Sequence, residues 1–128
     1  MSGSYRLELD EAARMIIIKG SGFFDVDTFR RFRTEAYDAV MHFNGGHLSY
    51  ADFTECTVQH QDIIALAQGL FLNSPAKAKR VAIVVKGVLQ ERQTSRILVR
   101  EGMEVFNDCD EAMYWLKSGE EMSRIPAV

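Results

Sequence analysis

Seven basic residues, Lys77, Lys79, Arg80, Lys86, Arg92, Arg96 and Arg100, crowd into one quarter of the chain, opposed there by Glu91 alone. Arg92, Arg96 and Arg100 recur at four-residue steps, so a helix through them would set three guanidinium groups on one side. The guanidinium fork suits carboxylate and phosphate geometry, which makes this a candidate anion-recognition or protein-docking face. A solvated helix face is the plainer alternative.

The other reactive side chains do not converge in sequence. His42, His47 and His60 are scattered, with no H-x-x-x-H pair and no Cys/His cluster of the kind zinc requires. There is no G-x-S-x-G elbow and no P-loop, and Gly20-Ser21-Gly22 lacks the third glycine of a dinucleotide fingerprint. Asp108 and Asp110 stand where a helix dipole explains them without acid–base work. No nucleophile–base pair can be named, so the expectation is a non-enzymatic protein with no metal and no cofactor. Cys56 and Cys109 lack C-x-x-C spacing. They read either as a disulfide or, for a cytosolic protein, as two buried or half-buried free thiols.

Composition sets outer limits. The 128 residues are 47% apolar and 26% charged, with net charge −3. That is enough for one domain over residues 1–128, burying roughly two-thirds of the unfolded surface without metal or disulfide. An acidic balance argues against binding nucleic acid through phosphate neutralisation. No apolar run approaches the ~20 residues of a membrane span and no apolar leader is visible, so no stable membrane insertion and a cytoplasmic location are expected.

The elements that would position these residues follow from periodicity. Tyr5 to Leu9 alternates with period 2, Asp10 to Ala13 can turn, and Arg14 to Lys19 returns as a strand, giving an antiparallel hairpin. Gly20-Ser21-Gly22 breaks that strand. Phe29, Phe32, Ala36, Ala39, Val40 and Phe43 then recur on one helical stripe, after Asp25 and Asp27 as N-cap and first-turn carboxylates. Asn44-Gly45-Gly46 ends the helix. A strand from His47 to about Phe53 and a helix from Val58 to Leu72 follow, the latter stopped by Asn73-Ser74-Pro75.

Arg80 to Lys86 is the strongest strand, apolar on both faces. After it come a polar helix from about Leu89 to Glu101, a strand from Met103 to Phe106 and a terminal helix. Asp108 and Glu111 make a capping-box-like start to that last helix. Cys109, Ala112, Met113 and Leu116 form its buried stripe, and Pro126 ends the tail. The order β-β-α-β-α-β-α-β-α predicts an α/β fold. It is a singly wound β-α superhelix with a five-stranded mixed sheet, an N-terminal antiparallel hairpin, remaining strands parallel, and four helices.

Arg80-Val81-Ala82-Ile83-Val84-Val85, Arg100-Glu101-Gly102, Val105-Phe106-Asn107-Asp108 and Glu111-Ala112 with Trp115-Leu116 resemble the C-terminal half of small bacterial STAS/SpoIIAA-like proteins. Tyr50-Ala51-Asp52-Phe53-Thr54 resembles the strand end of that group, which carries an Asp. The resemblance implies a fold shared with CRAL-TRIO lipid carriers and roles such as anti-sigma-factor antagonism. It also implies a phosphorylatable Ser at the start of the second main helix. That position falls near His60-Gln61, which has no hydroxyl. Thr54 and Thr57 are the nearby hydroxyls, read as helix N-caps or as phosphoacceptors.

Open parallel sheets bind ligands beyond the carboxyl ends of their strands. That edge would gather Phe23 and Phe24, Asp52, Thr54 and Thr57, and Lys86. Two functions are therefore expected. One is an interaction or regulatory domain with a protein partner; because the central strands are apolar on both faces while successive crossovers cover only one, the other face calls for a cover, either a partner subunit in a homodimer or the N-terminal hairpin or C-terminal tail. The other is a small carrier for an apolar or anionic, lipid-like ligand.

Overall fold

The computed structural model describes residues 3–74 and 76–120. The sheet holds β1 (Ser4–Asp10), β2 (Met15–Gly22), β3 (Leu48–Cys56), β4 (Arg80–Val84) and β5 (Met103–Phe106). They lie in chain order, with β1 antiparallel to β2 and every later pair parallel. The helices are α1 (Val26–Phe43), α2 (Gln61–Leu72), α3 (Val88–Ser95) and α4 (Cys109–Ser118). The expected α/β fold, with its mixed sheet and four helices, is the fold observed.

Side-chain alternation divides the core in two. Ile16, Ile18, Ala51, Val81 and Ile83 face Phe29, Phe32 and Ala36 of α1 and Ile63, Ile64 and Ala67 of α2, with Ile97 beyond α3 closing the same layer. Because the strands advance in one direction and their connections stay on one face, the crossovers share one hand. Met15, Ala82 and Val84 point the other way, onto Ala112, Trp115 and Leu116 of α4. The second sheet face therefore has an intramolecular cover, and the premise for a homodimer, an uncovered apolar face, does not hold.

Local chemistry sets the boundaries. Asp25 caps α1, its Oδ1 accepting from the Thr28 N–H at 2.7 Å, and Asn44 ends the helix in the left-handed region at φ 58°. Asp108 caps α4 by accepting from the Glu111 N–H at 3.0 Å. Arg80 Nε donates to the Leu116 carbonyl at 2.8 Å, tying the end of α4 to the start of β4.

Several expected boundaries move. β2 runs through Gly20 to Gly22 and β3 continues to Cys56, because a bulge lets Ser21 and Gly22 pair with Glu55 and Cys56. The helix expected from Val58 begins at Gln61, capped by His60, and neither Thr54 nor Thr57 caps it. The helix expected to reach Glu101 ends at Ser95, so Arg96 is its last cap and Arg100 lies outside it. Pro75, expected to stop α2, and Pro126, expected to end the tail, lie outside the described residues. Cys109 is exposed at the start of α4, and Trp115, not Cys109, completes the buried stripe.

Candidate functional site: the carboxyl edge of the sheet

The carboxyl ends of β2 and β3 are joined to each other and to α3, which follows β4, by two glutamines. Gln59 precedes α2, and its Oε1 accepts from the Phe24 N–H at 2.8 Å. Its Nε2 donates to the carbonyls of Gly22 at 2.9 Å and Thr57 at 2.6 Å. The Gln59 backbone is in turn bound by a side chain of α3: its N–H donates to Gln93 Oε1 at 2.6 Å, and its carbonyl accepts from Gln93 Nε2 at 2.5 Å. Two primary amides thus do what a ladder of backbone bonds does elsewhere. They fasten three successive strand-end connections without regular structure.

Beneath this clasp lies an apolar cavity of about 90 Å3 between the sheet and the helices. Phe24, Phe29, Phe53, Ile64 and Val85 line it, with Gln59, Gln93 and Thr94 at its polar margin. Cys56 also lines it, and burial, followed by the nearby Asp52 and Glu55, pushes its thiol up to about 12. A thiol so held is neutral at physiological pH and poorly nucleophilic.

The sequence-expected residues separate into distinct places. The adjacent aromatics split: Phe24 is buried and packs against Phe32 and Tyr5, whereas Phe23 is exposed. Thr57, Lys86 and Arg92 are exposed on the same edge as Phe23. Asp52 and Thr54 form a closed local pair, with Asp52 Oδ1 accepting from the Thr54 N–H at 3.0 Å and from its hydroxyl at 2.7 Å. By alternation Asp52 belongs with Tyr50 to the α4 face, and Thr54 lies in the bulge that follows it. Burial, then a hydrogen bond with Cys109, raises the Tyr50 hydroxyl above its usual range.

Arg92, Arg96 and Arg100 do not form one guanidinium row. α3 stops before the third step, and Arg100 sits at the opposite, amino end of the strands, half-buried. What sequence reasoning missed on this edge is apolar. Val58, Val88 and Leu89, in the connections after β3 and β4, are 40%, 66% and 65% exposed, and Phe23, after β2, is 41% exposed. Val88 and Leu89 open a helix with no apolar stripe, where nothing in the fold requires them. That mismatch was a usable signal. Among the described residues, no three His, Cys, Asp or Glu side chains converge where a metal could be held.

No family model matches this sequence, and no curated protein matches it. Among solved structures, it is similar to an uncharacterized protein of the DUF3478 family with a SpoIIAA-like fold from Shewanella loihica PV-4. The two are 20% identical with a TM-score of 0.65, over 90% of this chain and 94% of that one. The chain therefore has a SpoIIAA-like fold.

Proposed function

We propose that this protein is a non-enzymatic interaction or regulatory domain that docks a protein partner on the carboxyl edge of its sheet. The observation that carries this reading is the group of exposed apolar side chains, Phe23, Val58, Val88 and Leu89, on an edge that also presents Lys86 and Arg92. Solvated helix starts have no use for large apolar residues, whereas interface cores favour them with basic residues near the rim. The partner that fits is a segment with apolar side chains flanked by carboxylates. The docking is not a phosphoswitch of the antagonist type, because the start of α2 offers His60 and Gln61 where a phosphorylatable Ser would stand. Binding of such an acidic–apolar segment, followed by titration calorimetry, should weaken at least tenfold in Leu89→Asp. Equal affinity in both proteins refutes the reading.

A second reading rests on the cavity. Its 90 Å3 is smaller than the roughly 150 Å3 that accommodates benzene in an apolar protein core. A carrier of an apolar ligand would therefore have to open the Gln59–Gln93 clasp. Native mass spectrometry distinguishes the two: a retained lipid-sized mass supports the carrier, and the bare chain mass supports the docking domain.

A further inference from the structure

The amino end of the parallel strands holds an unbalanced group of buried donors. A second cavity, about 50 Å3, is lined there by His47, Ser49, Ser74 and Arg100 among apolar side chains from both flanking helices. His47, just before β3, is 0% exposed, and among the described residues neither of its ring nitrogens has a hydrogen-bond partner. Arg100 Nε, just before β5, is also buried without a partner among the described residues. Its Nη1 donates to the Glu101 carbonyl, and among the described residues no carboxylate pairs with it. Arg14 adds a second positive charge nearby. Its Nη2 donates to the Phe43 and Gly45 carbonyls, and its guanidinium lies 5.5 Å over the Phe43 ring that stacks on His47.

Buried polar groups are nearly always paired, and a half-buried guanidinium whose Nε–H is shut off from solvent without an acceptor is a costly one to leave so. Water would satisfy the hydrogen bonds, whereas an anion would satisfy them and balance the charge as well. A metal ion is excluded by chemistry, because guanidinium cannot ligate one and would repel it. We propose that this cavity binds one small monoanion, a halide or a compact carboxylate such as formate or acetate, held between Arg100 Nε–H and a ring N–H of His47. The space admits nothing as large as a nucleotide or a fatty acid. So placed, the anion ties the entry of β3 to the entry of β5 across β4, an internal brace at the end of the sheet remote from the proposed docking edge.

The full chain tests this without knowledge of any partner. Thermal unfolding is followed at fixed ionic strength with sodium bromide or sodium acetate replacing sodium gluconate, whose anion is too large to enter. Wild type should gain a few degrees in Tm, saturating with anion concentration, and Arg100→Met should lose that dependence. Crystals grown in bromide should show an anomalous peak between His47 and Arg100. This second readout needs no variant, so it decides the matter even if Arg100→Met does not fold. A Tm indifferent to both small anions, or a cavity filled only by water in bromide-grown crystals, overturns the proposal.

Discussion

Gln59 and Gln93, thirty-four positions apart, exchange two hydrogen bonds in which the side-chain amide of one serves both backbone groups of the other. With the Gln59 amide reaching on to Gly22 and Phe24, this contact couples the edges of β2, β3 and α3 and roofs the apolar cavity. The proposed docking residues Phe23, Val58 and Val88 all lie within a few positions of it in sequence. The order of that edge is thus set by neutral amides.

Loss of the clasp should show first as local opening. Gln93→Ala frees the N–H and carbonyl of Gln59, at a cost of about 1–2 kcal/mol. Amide exchange at Gln59 and Phe24 should accelerate well before exchange in β3 and β4. Unchanged protection at both amides would show that the clasp is not what orders the edge.

A tight glycine marks the opposite end. Gly102 has φ +85°, and a Cβ there would stand 2.8 Å from the Lys79 carbonyl oxygen, which is backbone and cannot swing aside. Gly102→Ala should destabilise the protein by about 2 kcal/mol in urea denaturation, through left-handed strain plus displacement of the β5 entry. Gly46, also at positive φ but with nothing within 4 Å, has only the strain to lose and should tolerate alanine better.

The two thiols should differ in reactivity. Cys109 is exposed, whereas Cys56 is half-buried with its thiol pushed up to about 12. Iodoacetamide near pH 8 should add one label to the native chain, at Cys109, and a second only after denaturation. Rapid native labelling of Cys56 would mean that the cavity opens readily.

Acid should weaken the fold through His47. Burial, then Arg14 and Arg100, hold its imidazole below the usual range. The unfolded chain accepts a proton that the folded chain refuses, so stability falls as pH drops below the free value of about 6.5 and continues to fall until the folded-state value is passed. In buffer free of small anions, His47→Phe, which keeps a ring against Phe43, should flatten this slope. Parallel slopes for both proteins would contradict the assignment.

Much of the fold was legible because it follows from periodicity: the hairpin from Tyr5, Leu7 and their partners, α1 from its Phe and Ala stripe, and β4 from a run buried on both sides. Boundaries moved where tertiary contacts overruled local preference. The four-residue steps of Arg92, Arg96 and Arg100 suggest one continuous helix, yet Thr94, Ser95, Ile97 and Val99 are weak helix formers and the chain turns after Ser95, burying Ile97 beneath the sheet and carrying Arg100 to the far end. The α4 cover over β4 was hidden because strand pattern records that a face is apolar, not what lies on it. Gln59 was invisible for a similar reason. A loop glutamine has no periodic signature, and its role exists only through partners 34 to 37 positions away.

The central claim is that the carboxyl edge is a docking surface. Affinity capture with wild type, Leu89→Asp and, as a remote control, Tyr37→Asp on the exposed side of α1 tests it most directly. The account predicts a protein retained by wild type and Tyr37→Asp and depleted at least tenfold by Leu89→Asp, with direct binding then reproduced from purified components. Identical captured sets from all three proteins would contradict it.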